Sequence, residues 1–172
     1  MRRFTVLVLA IGVLGAGCDD DSPTAPSTQP LVFSALLSPA NEVPPVTNVE
    51  SSGNGAMQVT IHTTRSASGA ITGGTANFHI QLNGFPGDTV MVGAHIHPGV
   101  AGVNGPVRVS TGITTGNTVA LEGGSVSVNV MGIVVDAATV EAIANNPSAF
   151  YFNVHSPRNP PGFARGQLMR VQ

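Results

Sequence analysis

Val92-Gly93-Ala94-His95-Ile96-His97-Pro98-Gly99, continuing into Asn104-Gly105-Pro106-Val107-Arg108, decides the fold. Side chains of an extended strand alternate between its two faces, so His95 and His97 point the same way. Val92, Ala94 and Ile96 then point the other way, into a core. Two of the five histidines are thereby fixed side by side at a strand end, just before a turn rich in Gly, Asn and Pro.

The segments on either side repeat this period-two logic. Leu31–Leu37 reads as a strand ended by Ser38-Pro39. Met57, Val59 and Ile61 alternate with Gln58, Thr60 and His62, and Phe78, Ile80 and Leu82 alternate with Asn77, His79 and Gln81. Both are half-buried strands. Val90 to His97 forms another, followed by Val107–Ser110, Thr118–Leu121 and Val126–Val130. In Phe150-Tyr151-Phe152-Asn153-Val154-His155, Phe150, Phe152 and Val154 face inward, and Phe163 to Val171 closes the chain. The single helix candidate is Asp136 to Asn145. Asp136 is its N-cap, Val140 and Ile143 are its buried stripe, and Asn145-Asn146-Pro147 stops it. About eight strands with one short helix predict an all-β domain, an antiparallel Greek-key β-sandwich or barrel.

Composition agrees. Charged residues make up 9% and aromatics 5% of 172 residues, against 21 Gly and 13 Pro, a profile of short strands and many turns. All seven basic residues are arginine. The absence of lysine excludes a Schiff base, a lysine general base and a phosphate-loop lysine, and no basic patch offers itself to nucleic acid.

The N-terminus reads as an export signal over residues 1–17. Met1-Arg2-Arg3 precedes an apolar run from Phe4 to Ala16, too short to span a bilayer comfortably. It ends at Gly15-Ala16-Gly17-Cys18, which resembles the lipobox of bacterial lipoproteins, with Gly15 where leucine is usual. That resemblance implies lipidation of Cys18, a membrane partner through the lipid, and a location in the cell envelope. Without lipidation the protein would be secreted. A single cysteine makes no intramolecular disulfide, so the core alone holds the fold. Residues 18–30, with three prolines and no apolar period, read as a tether able to extend about 40 Å. The domain is expected over residues 31–172. Cleavage before Cys18 would remove Arg2 and Arg3, leaving five arginines against nine acidic residues.

One internal echo stands out. His97 precedes a Gly/Asn/Pro turn and Arg108; His155 precedes Ser156-Pro157, Asn159-Pro160-Pro161-Gly162 and Arg165. Both read as strand, wide turn, strand.

Four motifs, in order, resemble the CHRD domain, the family named after chordin and found also in bacterial secreted proteins. They are Asn41-Glu42-Val43-Pro44-Pro45; His95-Ile96-His97 with Gly102 to Gly105; Phe152-Asn153-Val154-His155; and Gly162 to Gln167 containing Arg165-Gly166-Gln167. Together they cover about residues 31–169. The resemblance implies a β-rich extracellular domain and carries over no settled activity; the function expected is a non-enzymatic binding or structural module, whose partner would be an envelope or extracellular protein or a polysaccharide.

The residues allow two readings of the histidines. If their strands are neighbours, His95, His97 and His155 converge, with Tyr151 and Asn153 on the same face as His155. Three neutral imidazoles suit zinc or copper. The His-x-His also resembles the copper-side motif of copper/zinc superoxide dismutase, although no His-rich zinc loop, disulfide pair or steering lysine accompanies it. Alternatively no cofactor is held, and the histidines donate to turn carbonyls and fasten the loops. His62 and His79, on polar faces, are expected in solvent. Glu42 is expected to pair with Arg165 or with Arg108 as a structural clamp, with Arg165 and Asn153 as the alternative ligand-binding groups. The acidic residues, Glu50 among them, read as loop or element-end positions, and no nucleophile elbow or carboxylate pair supports hydrolysis.

Overall fold

The computed structural model describes residues 29–171. The expected export signal, Cys18 and all but the last two residues of the tether lie outside that range. Its strands are β1 (Leu31–Leu37), β2 (Asn54–Arg65), β3 (Ile71–Asn83), β4 (Val90–Met91), β5 (Gly93–Pro98), β6 (Val109–Ser110), β7 (Val119–Ala120), β8 (Val126–Asp136), β9 (Phe150–His155), β10 (Ala164–Gln167) and β11 (Met169–Arg170). One α-helix, α1 (Ala137–Asn145), follows β8. Asp136 caps it by accepting from the Thr139 N–H, and Val140 and Ile143 are fully buried, as the pattern predicts.

Two antiparallel sheets make the sandwich. One has the order β11-β1-β2-β3-β8, the other β10-β9-β5-β6, and β4 pairs with β7 in a small ribbon. The period-two residues of β1, β2 and β3 are buried, Phe33, Val59 and Ile80 completely. Across the core they meet Ala94 and Ile96 of β5 and Phe152 and Val154 of β9, with Phe78 and Phe152 in ring contact at 6.0 Å. Truncating a fully buried Phe such as Phe152 costs about 3–5 kcal/mol, so these inward faces fix which way the opposite faces point.

Of the strands that are shorter than the sequence suggests, β6 and β7 lose only end residues, and two others are interrupted. The run from Val90 is broken at Val92, which is half-buried rather than in the core, and its N–H bonds to the His155 carbonyl. The last segment breaks between Gln167 and Met169, because β10 belongs to one sheet and β11 to the other. The chain therefore crosses from sheet to sheet at its end.

The sheets are also stitched where β1 ends. Ser38 and Arg165 exchange backbone hydrogen bonds at 3.0 and 3.2 Å, and the Asn41 amide donates to the Arg165 carbonyl. Gly166 lets the β1 backbone approach, since a Cβ there would collide with the Leu36 carbonyl. This docks the segment carrying Glu42 onto β10.

Candidate metal centre

Strands β5 and β9 pair directly, with His95 opposite Asn153, His97 opposite Tyr151 and Gly93 opposite His155. Because Ile96 and Phe152 are committed to the core, all of these side chains emerge on the outer face of the four-stranded sheet. The three histidines that the sequence places on strand ends are thus brought together. One ring nitrogen from each lies within 4.8 Å of the others. No further His, Cys, Asp or Glu joins the cluster among the described residues.

The ring nitrogens divide into two sets. His97 Nδ1 lies 3.0 Å from the Gly105 carbonyl, and His155 Nδ1 lies 2.9 Å from the Pro160 carbonyl. A carbonyl only accepts, so Nδ1 carries the proton in both and Nε2 carries a lone pair. Those two Nε2 atoms, together with His95 Nδ1, are buried and have no hydrogen-bond partner. A backbone carbonyl that fixes the ring and its tautomer, leaving the other nitrogen bare, is the usual support of a metal-ligating histidine. Burial and the neighbouring imidazoles His155 and His97 push His95 down to about 4, and burial also lowers His97 and His155. All three are neutral at pH 7, the form that binds metal.

Glycines make the close packing possible. A Cβ on Gly93 would sit 3.0 Å from His95 Cε1 and 3.2 Å from His155 Cδ2, so both rings close over a position without a side chain. Gly105 comes so close to the Pro98 carbonyl that any side chain there would clash. Its carbonyl is the acceptor for His97, and its N–H donates to the Tyr151 hydroxyl at 3.2 Å.

Around the cluster runs a polar support. The Arg165 guanidinium lies 3.7 Å over the Tyr151 ring, and Tyr151 stacks on His97 with 4.9 Å between centroids. Arg165, fully buried, donates to Asn104 Oδ1 at 2.8 Å and to the Val103 carbonyl at 3.0 Å, while Asn104 donates to the Val43 carbonyl. Gln167, one register step along the same face, donates to the carbonyls of Gly99, Ser148 and Phe150. The Arg-Gly-Gln motif is therefore a grip on the loop that follows His97.

The Glu42 fork does not form. Arg165 gives its donors to the Val103–Asn104 loop, and Arg108 instead lies 3.8 Å from Asp136 at the exposed helix start. Glu42 is buried, with Oε1 unpartnered, and packs against Gly162 beside the Asn153 amide. Burial raises it to about 7, only partly offset by the nearby Arg165 charge. Asn153 donates to the Pro161 carbonyl at 3.2 Å, and its Oδ1 is a second buried acceptor without a donor.

The loop after His155 has its own anchor, one that the sequence does not reveal. Glu50 is buried and accepts from Ser156 Oγ at 2.7 Å and from the Asn159 amide, with Arg158 at 3.6 Å. Expected at a loop or element end, it lies in the short 3-10 helix Val49–Ser52 and is the hub of the turn carrying Pro160. Asn48, two residues before it, both caps this 3-10 helix and pairs with Asn159. His62 is exposed, and His79 lies on the other sheet beside Ser127.

The echo between the two hairpins is structural as well. β5 with β6 and β9 with β10 form adjacent antiparallel pairs, and β5 and β9 run antiparallel at the centre. A local pseudo-twofold relates His97 to His155, and both present Nδ1 to their own loop. The arginines break the symmetry, Arg165 being buried and Arg108 exposed.

A family model for the CHRD domain matches residues 33–168. The chain belongs to the CHRD domain family. Comparison with curated proteins and with solved structures returned no match. The matched span contains every residue of the cluster and its support, so the centre lies within the CHRD domain itself. Membership supports a binding or structural module.

Proposed function

We propose that this CHRD domain is a metal-binding module, holding one zinc or copper ion on His95, His97 and His155. The observation that carries the reading is the pairing of three partnerless ring nitrogens with two Nδ1–H groups already spent on backbone carbonyls. A purely architectural role explains those Nδ1 bonds but not why His95 Nδ1 and two Nε2 atoms are buried together without partners, an arrangement that costs stability unless something binds there. The donor set is all imidazole, which suits zinc and copper rather than calcium or magnesium. One nitrogen of each ring lies within 4.8 Å of the others, against the roughly 3.4 Å separation of a tetrahedral zinc site. Elemental analysis of protein purified without a histidine tag tests this. About one zinc or copper per chain supports it; neither metal, with unchanged melting on adding either, refutes it.

The module is exported and displayed on the cell envelope through a lipid on Cys18, the role its lipobox-like segment supports. Cys18→Ser then releases the protein from membranes. Wild-type protein found wholly in the extracellular fluid would contradict the anchor.

A further inference from the structure

We infer that the metal centre takes a small exogenous ligand, a molecule with one nitrogen or sulfur donor on an apolar body, into the hollow beside His95 and His155. The inference rests on the metal reading and adds the chemistry of what completes the coordination. A cavity of about 460 Å³ has His95, Gly93 and His155 along one wall, so two of the three ligand side chains border it. The rest of its lining is Val92, Val107, Pro157 and Pro160, with the polar Thr115 and Ser156. The hollows at Glu42–Arg165 and at Glu50–Arg158, by contrast, touch none of the three histidines.

Three features select the occupant. Three imidazoles leave at least one position of a four-coordinate ion open, and no protein carboxylate or thiol stands near enough to fill it. No charged side chain lines the cavity, so apart from the ion itself nothing there pairs with the further oxygens of a phosphate or a carboxylate brought out of water. The four apolar walls instead favour an apolar body, and the volume falls within the range of small-molecule sites. Gly93 lies at the same wall, where a Cβ would crowd the rings of both His95 and His155.

Cobalt(II) in place of the native metal gives visible bands that report a new ligand directly. The probes are imidazole, which offers only a donor, and 4-phenylimidazole, which adds an apolar ring. Affinities are compared on protein of measured cobalt content. The expected ratio favours 4-phenylimidazole by about tenfold or more, from burial of the phenyl group. In Val107→Asp and in Thr115→Arg, both at exposed loop positions, that ratio falls toward one. A ratio near one in the wild type, or a ratio unchanged in both variants, overturns the inference while leaving the metal centre standing. Failure to take up zinc and copper as well as cobalt overturns both.

Discussion

His97 and Tyr151 lie parallel, 6° apart in plane and 4.9 Å between centroids, and together they hold both peptide groups of Gly105. The imidazole binds its carbonyl and the phenol binds its N–H. The loop after β5 is thereby tied to the strand pair at the point where His97 must be oriented. Tyr151→Phe keeps the stack and removes the acceptor, leaving the Gly105 N–H without its side-chain partner. A loss of about 1 kcal/mol is expected in denaturant unfolding, with faster hydrogen exchange at Gly105.

His95 separates architecture from metal binding. Unlike His97 and His155, its Nδ1 has no hydrogen-bond partner, and it fastens no loop carbonyl. His95→Ala removes a buried unsatisfied nitrogen. The metal-free variant should therefore unfold within about 1 kcal/mol of wild type while losing 100-fold or more in zinc affinity. Equal affinity in a calorimetric titration would remove His95 from the site.

Arg165 is the support with the most to lose. It is fully buried, stacked on Tyr151, and hydrogen-bonded to Val103 and Asn104. Arg165→Met leaves those acceptors and the stack unanswered, a loss of about 3 kcal/mol. Arg165→Lys recovers little of it, since an ammonium lacks the planar fork. Urea midpoints of the two variants check the order.

The pH dependence contains two opposing contributions. His95 falls from 6.5 to about 4 on folding, so the unfolded chain binds more protons between those values and stability drops as pH falls through that window. Glu42 rises from 4.5 to about 7, so the folded chain holds the extra proton and stability drops as pH rises from 4.5 to 7. Glu42→Gln mimics the neutral acid. Its advantage over wild type should be small at pH 4.5 and grow to about 3 kcal/mol by pH 8, in urea titrations at both values. A constant difference would mean that Glu42 is ionised throughout.

Much of this was legible in residue order because period-two alternation is local. Ile96, Phe152 and Val154 face the core, so His95, His97, Asn153 and His155 face outward, and the capped helix needed only Asp136 and the Val140–Ile143 spacing. The loops were not legible. Nothing in the spacing from His97 to Gly105, or from His155 to Pro160, says which carbonyl a wide turn brings back. The Glu42–arginine pairing failed for the same reason: opposite charge makes a pair plausible, but the nearest acceptors for Arg165 are backbone and amide oxygens of a distant loop. Gly93 was within reach, since Gly-x-His-x-His places it on the histidine face.

The central claim, that one ion sits on His95, His97 and His155, is tested most directly by titrating zinc into metal-free, untagged protein in a calorimeter at pH 7.5. A single site per chain is expected in the wild type, and its loss in His95→Ala with the fold intact by circular dichroism. No heat of binding in the wild type, or an unaltered isotherm in His95→Ala, would contradict it.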